Sequence, residues 1–304
     1  MNTIVIIGAN GFLGMSLASY YSKKRSQVLA LIPRGFTYGG LKKLNNVDCQ
    51  EFDFETLSEM TAKCTGTPTI VYHLAWAGVS SAKKNEFDTQ LLNIEFAIKA
   101  IDFAKKNGIK RVLFPGSASE YSCGNGVIDG KQVPAPSDIY SATKVAVRYI
   151  TQVYAKQRDV DTLWTSITSI YGPGRNDDNL ITYCIKTLLK GEKPLFTGLE
   201  QIWDYIYIDD LVKALAAVGE SGKPDKIYPI GSGVSMKMSD YVKVIRDKIN
   251  PELPIGIGSL PYKNKIIDNQ RININELTLD TGFVPQVSFE EGIEKTIMYF
   301  RNIM

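Results

Sequence analysis

Tyr140 and Lys144 stand four positions apart, the spacing that puts two side chains on one face of a helix. An ammonium close to a phenol favours the phenolate and lowers a pKa that starts near ~10. Such a pair could donate or accept a proton at neutral pH. The spacing alone is common, and two ordinary surface residues match it equally well. Ser117 adds a hydroxyl in Phe114-Pro115-Gly116-Ser117, just past a strand-like run. Read by itself, that hydroxyl could equally be a turn or cap group.

A second constellation lies at the start of the chain. Gly8-Ala9-Asn10-Gly11-Phe12-Leu13-Gly14 follows the β-branched run Thr3–Ile7 and opens a helical pattern. Gly8 permits a tight turn, Gly11 lets backbone approach a pyrophosphate, and Gly14 lets helix and strand pack closely. The helix start then offers free N–H groups and a positive dipole end to an anion. A Gly-rich loop is weak evidence alone, but the strand and helix around it supply the context the chemistry requires. Dinucleotide folds often carry an acidic residue after the second strand for the ribose 2′-OH. Here that place reads Leu31-Ile32-Pro33-Arg34. An Arg suits a 2′-phosphate, so the expected cofactor is NADP(H), with NAD the alternative and a solvated Arg34 the bland reading. Asp53 and Phe54 are placed by position alone at the adenine edge.

The elements that must position these residues alternate. Strands are predicted at 3–7, 27–32, 50–54, 69–74, 111–114, 162–170 and 226–230. Long helices are predicted at 88–107 and 138–158, with further helices from Leu13, at 180–190, at 206–217 and at 289–303. Strands alternating with helices imply parallel βαβ units with right-handed crossovers, and ligands then bind outside the carboxyl ends of the strands.

Composition narrows the field. The chain has 304 residues and 44% hydrophobic content, enough for a sizeable core without staples. A net charge of +3, with no Lys/Arg run longer than Lys23-Lys24-Arg25, argues against nucleic acid or an anionic membrane as the main partner. The single histidine, His73, excludes a standard Ser-His-Asp triad and His-rich zinc sites, and is read as structural. Cys49, Cys64, Cys123 and Cys184 show no metal-ligand spacing, so no metal is expected and reduced thiols are. No apolar run reaches the ~18 residues of a membrane span, and no basic leader precedes the first strand. A cytoplasmic location is expected.

Taken together these motifs resemble the extended short-chain dehydrogenase/reductase family of nucleotide-sugar epimerases, dehydratases and reductases. The segments that carry the likeness are the glycine loop, Val71-Tyr72-His73-Leu74-Ala75, Asn93-Ile94, Ser117-Ala118-Ser119-Glu120-Tyr121, Tyr140-x-x-x-Lys144, Tyr171-Gly172-Pro173-Gly174 and Asp204–Leu211. The resemblance implies an α/β fold: a doubly wound parallel Rossmann sheet over 1–170 and 203–232. A smaller, discontinuous C-terminal substrate-binding lobe is expected over 171–202 and 233–304. It implies Tyr140 as acid/base, Lys144 as the group that holds the nicotinamide ribose and lowers the tyrosine pKa, and Ser117 on the reacting oxygen. Leu74 and Ala75 would lie along the cofactor, and Asn93 would support the active-site helix. Substrate contacts would fall on Ser119, Ser169, Asn179 and Leu180. A homodimer through the two long helices is also implied.

Three departures shape the functional reading. The Asp-Glu pair of the sugar 4,6-dehydratases is replaced by Ala118-Ser119, which disfavours water elimination. The acidic residue of NAD-retaining epimerases is missing after the second strand. Trp203 stands where the family often has a diphosphate-binding Arg; Arg175, Lys263 or Arg271 could replace that cation, and Trp203 could stack on substrate or simply pack. The leading expectation is NADP(H)-dependent reduction of a 4-keto nucleotide sugar. A nucleotide-sugar 4-epimerase with tightly bound NAD and a non-catalytic NADP(H)-binding sensor are the alternatives.

Overall fold

A computed structural model describes residues 2–80, 82–121, 126–262 and 269–304. In chain order the elements are β1 Asn2–Ile7, α1 Phe12–Lys23, β2 Gln27–Pro33, β3 Val47–Phe52, β4 Thr67–His73, α2 Phe87–Lys106, β5 Arg111–Ser117, β6 Val127–Ile128, α3 Ile139–Lys156 and β7 Asp161–Ile167. They continue with β8 Ser169–Tyr171, α4 Leu180–Leu189, β9 Ile202–Tyr207, α5 Ile208–Ser221, β10 Ile227–Ile230, β11 Ser235–Lys237, α6 Met238–Ile249, β12 Arg271–Ile272, α7 Asn275–Thr281 and α8 Phe289–Ile303.

The central sheet has seven parallel strands in the order β10-β7-β5-β4-β1-β2-β3. The order reverses between β1 and β4, the switch point at which doubly wound sheets bind ligands. Both faces are covered, and the sequence shows why. In β1, Ile4 and Ile6 enter the core on one face, while Val5 and Ile7 enter the core on the other. In β2, Val28, Ala30 and Ile32 alternate with Leu29 and Leu31 in the same way. Side chains two apart share a face, so a continuous apolar run feeds two cores at once. Each such Val, Leu or Ile side chain contributes about 1.5–3 kcal/mol of burial.

A second, three-stranded sheet, β11-β9-β8, carries β8 parallel to β9 and β11 antiparallel to it. The predicted strand 162–170 divides here. At Thr168 the chain leaves β7, and Thr168 Oγ1 donates to Asp204 O at 2.7 Å, so β8 joins β9 instead. The predicted helix at 206–217 starts two residues later, because Ile206 and Tyr207 pair with Ile170 and Tyr171. The predicted strand 50–54 runs over β3 instead, and Phe54 leaves the ladder to stack on Phe96 with ring centroids 3.8 Å apart. Helix α6, whose Tyr241, Val242 and Ile245 are buried, and the short α7 were not expected from the sequence.

Candidate active site

The carboxyl ends of β1 and β4 meet at the glycine loop. Leu74 and Ala75 both donate their N–H groups to Ile7 O, at 2.9 and 3.0 Å, so the end of β4 lies against the end of β1. Gly8 has φ +83°, and a Cβ there would lie 2.7 Å from Ala75 N. A Cβ on Gly14 would lie 2.4 Å from Gly8 O and 2.7 Å from Ala9 Cα. These two glycines are demanded by the protein's own packing. Gly11 is not: a Cβ would meet only Gly8 O at 3.6 Å. Gly11 is the N-cap of α1, offers no side-chain cap, and the first turn carries no acid. The N–H groups of Phe12 and Leu13 thus open α1 beside an uncrowded Gly11, at the positive end of a helix, which fits a phosphate group. Asn10 lies in the turn, and the Phe12 ring lies beside Gly174, where a Cβ would stand 3.7 Å from it.

At the end of β2, Arg34 Nη2 forms an ion pair with Asp53 Oδ2 at 3.0 Å, both side chains well exposed. Arg34 N donates to Phe52 O, which ties the two strand ends together. Phe54 contacts Phe52 edge-on and Phe96 face-on, so its ring serves the α2 core.

Ser117 ends β5 and Tyr140 is the second residue of α3. Helix α3 starts where it does because Asp138 and Ser141 form a capping box: Asp138 Oδ1 accepts from Ser141 N at 2.7 Å, and Asp138 N donates to Ser141 Oγ. The Ser117 side chain lies near enough to Tyr140 to favour the ionised phenol, and Ser117 Oγ lies 2.8 Å from Ser119 Oγ. Burial pushes the Tyr140 phenol up to about 12, against the smaller opposing effects of the Ser117 side chain and the Arg175 charge. The expected partner of this phenol, Lys144, is engaged elsewhere. Lys144 Nζ donates to Pro115 O at 2.9 Å and sits 3.4 Å above the centre of the Trp76 ring, but 5.7 Å from the centre of the Tyr140 ring. A shared helix face fixes direction, not which atom the ammonium reaches. Lys144 itself is buried, which brings its pKa down to about 7 against the opposing pull of Glu120.

The substrate residues expected from the sequence are placed differently from one another. Trp203 Nε1 donates to Ser169 Oγ at 2.9 Å, so these two form one unit. Asn179 is the N-cap of α4: its Oδ1 accepts from Ile181 N and Thr182 N, and Leu180 opens the helix. Arg175 is gripped by Asp177 through Nε and Nη2, at 2.7 and 2.9 Å, and by Ile170 O. Its charge still reaches Tyr140. Arg271 is exposed on β12; Lys263, like Cys123, lies outside the described residues.

The structure shows the surroundings of Asn93 and His73 and adds Trp76, Lys84, Asn85 and Gln90, which sequence patterns did not single out. Asn93 accepts from Ala77 N at 2.8 Å, and Gln90 accepts from Trp76 Nε1 at 3.1 Å and donates to Gly78 O at 2.8 Å. Together they fix the loop after β4, so Asn93 supports this loop, where the resemblance implied support of the active-site helix. Asn85 Oδ1 accepts from Ile139 N at the start of α3, and Lys84 Nζ lies 4.9 Å from the Tyr140 ring centre. His73 is buried with neither ring nitrogen hydrogen-bonded; burial, then the Lys144 charge, brings its pKa to about 3, so it is neutral. Trp76 and Gln90 precede no recognisable spacing, so only the folded chain reveals them.

A doubly wound sheet of this strand order, with a glycine loop at its switch point, defines a dinucleotide-binding α/β protein of the Rossmann type. The chain belongs to the NAD dependent epimerase/dehydratase family, whose model matches residues 4–231. The chain is 30% identical over 179 residues to dTDP-glucose 4,6-dehydratase of Escherichia coli, a match that covers 55% of this chain and only about half, 49%, of that protein. It is 26% identical to UDP-glucose 4-epimerase of Mycolicibacterium smegmatis over 99% of both chains. The fold is that of UDP-glucuronic acid 4-epimerase from Bacillus cereus, a structure in complex with UDP-glucuronic acid and NAD, with a TM-score of 0.85, 20% identity and 100% of both chains covered. Enzymes of the nucleotide-sugar epimerase/dehydratase type are thus its kin.

Proposed function

We propose that this protein is a nicotinamide-dependent reductase of a 4-keto nucleotide sugar, with Tyr140 as the proton donor. The observation that carries the reading is that the carboxyl end of β5 brings Ser117 beside Tyr140 in the first turn of α3, with the phenol held protonated by burial. A phenol that rests neutral is a ready acid for an oxygen on which negative charge develops. When bound, the nicotinamide supplies the hydride. The Gly8–Gly14 loop would hold the pyrophosphate, Leu74 and Ala75 would line the dinucleotide, and Lys144 would bind the nicotinamide ribose. Ser117 would polarise the carbonyl, with Ser119 as its neighbour. The sheet unit, 1–170 and 203–232, would hold the cofactor. The lobe over 171–202 and 233–304, with Ser169, Asn179, Leu180 and Trp203 at their common border, would hold the sugar nucleotide. Dehydration is disfavoured because Ala118 and Ser119 bring no carboxylate, and Glu120 turns back to Ser117 N.

A specific observation favours a second reading, a 4-epimerase with retained NAD. The full-length match to the M. smegmatis epimerase is one support; the Arg34–Asp53 pair is another, because it places a carboxylate beside the cation meant for a 2′-phosphate. Arg34→Ala decides between them. If Arg34 serves a 2′-phosphate, NADPH binding is expected to weaken about fivefold and NADH binding to stay within about twofold, consistent with one exposed charge pair of roughly 1 kcal/mol. Fluorescence titration of both cofactors reads this. Equal affinities in wild type, or stoichiometric NAD released by acid from the purified protein, would move the epimerase to first place.

We also propose a homodimer. Phe87, Leu91 and Leu92 on α2 and Tyr149, Ile150 and Val153 on α3 are exposed apolar residues on two helices that pack together. Val153→Glu is expected to shift sedimentation toward the monomer; a wild-type protein that sediments as a monomer at micromolar concentration would contradict this.

A further inference from the structure

Glu120 is wholly buried, and the reading above gives it no task. Its Oε1 accepts from Ser117 N at 2.8 Å. Its Oε2 lies 3.5 Å from Arg148 Nη1 and makes no hydrogen bond. On the other side of the same strand end, Lys144 Nζ holds Pro115 O. A buried carboxylate and a buried ammonium therefore grip Pro115-Gly116-Ser117 at its two ends. Between them Gly116 leaves no room: a Cβ would lie 2.3 Å from Trp164 Nε1 and 2.4 Å from Glu120 Oε1. The Glu120 side chain is closely seated between Gly116, Trp164 and Arg148. An apolar residue at 120 would leave Ser117 N without its partner, at about 1–3 kcal/mol for a buried donor.

We propose that Glu120 is a positioning residue: its side chain fixes Ser117 at one end of Pro115-Gly116-Ser117 and is the counter-charge to the Lys144 ammonium that holds the other end. The inference rests on the catalytic assignment of Ser117, Tyr140 and Lys144 made above. Around Lys144 the other groups cannot do this. His73 is neutral, Trp76 and Tyr140 present rings, and Pro115 presents a carbonyl. Around Glu120 stand Ser117 N from β5, Trp164 from β7, Tyr121 of its own turn, and Tyr140, Lys144 and Arg148 from α3. Burial lowers Lys144 and raises Glu120, and each charge opposes the shift of the other. Arg148 is the permanent cation that helps hold Glu120 ionised, and it also donates to Tyr121 OH at 3.0 Å.

The test uses the full-length chain with ¹³C at the lysine Cε positions and no ligand. Lys144→Met identifies the Lys144 resonance by its loss. In wild type this resonance is expected to titrate near pH 7. In Glu120→Gln the midpoint is expected to fall by about one unit, a tenfold loss of ammonium at a given pH, and Glu120→Asp is expected to restore part of it. If the Gln variant is not recovered folded, Glu120→Met, which introduces no amide, takes its place with the same expectation. An unmoved midpoint overturns the proposal. Turnover of Tyr140→Phe reads the catalytic assignment separately. A dead Tyr140→Phe with an unmoved Lys144 midpoint rejects only the role of Glu120, whereas an active Tyr140→Phe with a moved midpoint rejects only the catalytic assignment.

Discussion

Tyr140→Phe is expected to lower turnover of a nucleotide-linked 4-keto sugar by about 10²–10⁴-fold, the range for a lost general acid. Dinucleotide affinity and Tm are expected to change little. The substitution removes one hydroxyl. The ring remains, and with it the edge-on contact to Trp76 at 5.9 Å and the Lys84 ammonium above it. Ser117 keeps its neighbour Ser119. The loss therefore falls on kcat more than on KM, as for an interaction made in the transition state. Turnover above a tenth of wild type would show that another group delivers the proton.

Gly11→Asp is expected to abolish tight dinucleotide binding while leaving Tm unchanged or slightly raised. Gly11 has φ −75° and ψ 168°, an extended conformation that Asp adopts freely at an N-cap. Its Cβ has room, and its carboxylate would accept the N–H groups at the start of α1. That same carboxylate would stand where the phosphates are proposed to lie. Two unit charges 4 Å apart repel by about 4 kcal/mol at an effective dielectric of about 20, and even half of that is roughly 30-fold in affinity. Isothermal titration with NAD and NADP beside a thermal melt separates the two effects. Undiminished binding would mean that the cofactor does not use this helix start.

Local chemistry was legible in the sequence, and tertiary chemistry was not. Gly8 and Gly14 announce themselves because a tight turn and a close packing demand them at fixed offsets, and Gly11 because a phosphate at a helix start needs close backbone approach. The strands β1, β2 and β4 read as apolar runs because both faces are buried. Ser117 and Tyr140 stand out in the sequence because strand ends bind ligands and a helix face has a known period. The break at Thr168 was missed because a β-rich run gives no sign that its last residues change sheets. Helix α6 was missed although Tyr241, Val242 and Ile245 carry the right spacing, since it lies among polar residues near the Pro- and Gly-rich stretch 251–261. Glu120 looked like one more charge; only its seat against Gly116, Trp164 and Arg148 shows that it is buried. Lys144 was correctly placed on the Tyr140 face, yet its ammonium chose Pro115 O, a partner that no helical spacing predicts.

The central claim is that Ser117 and Tyr140 form a proton-donating corner for nicotinamide chemistry on a nucleotide sugar. The most direct measurement is nicotinamide absorbance after mixing the wild-type protein and Tyr140→Phe with NADPH or NADH and a dTDP- or UDP-linked 4-keto sugar. Loss of reduced nicotinamide in wild type, matched by product and suppressed in Tyr140→Phe, is the result expected. Reduced nicotinamide that stays bound and unoxidised across the panel, or equal oxidation by both proteins, would contradict the account.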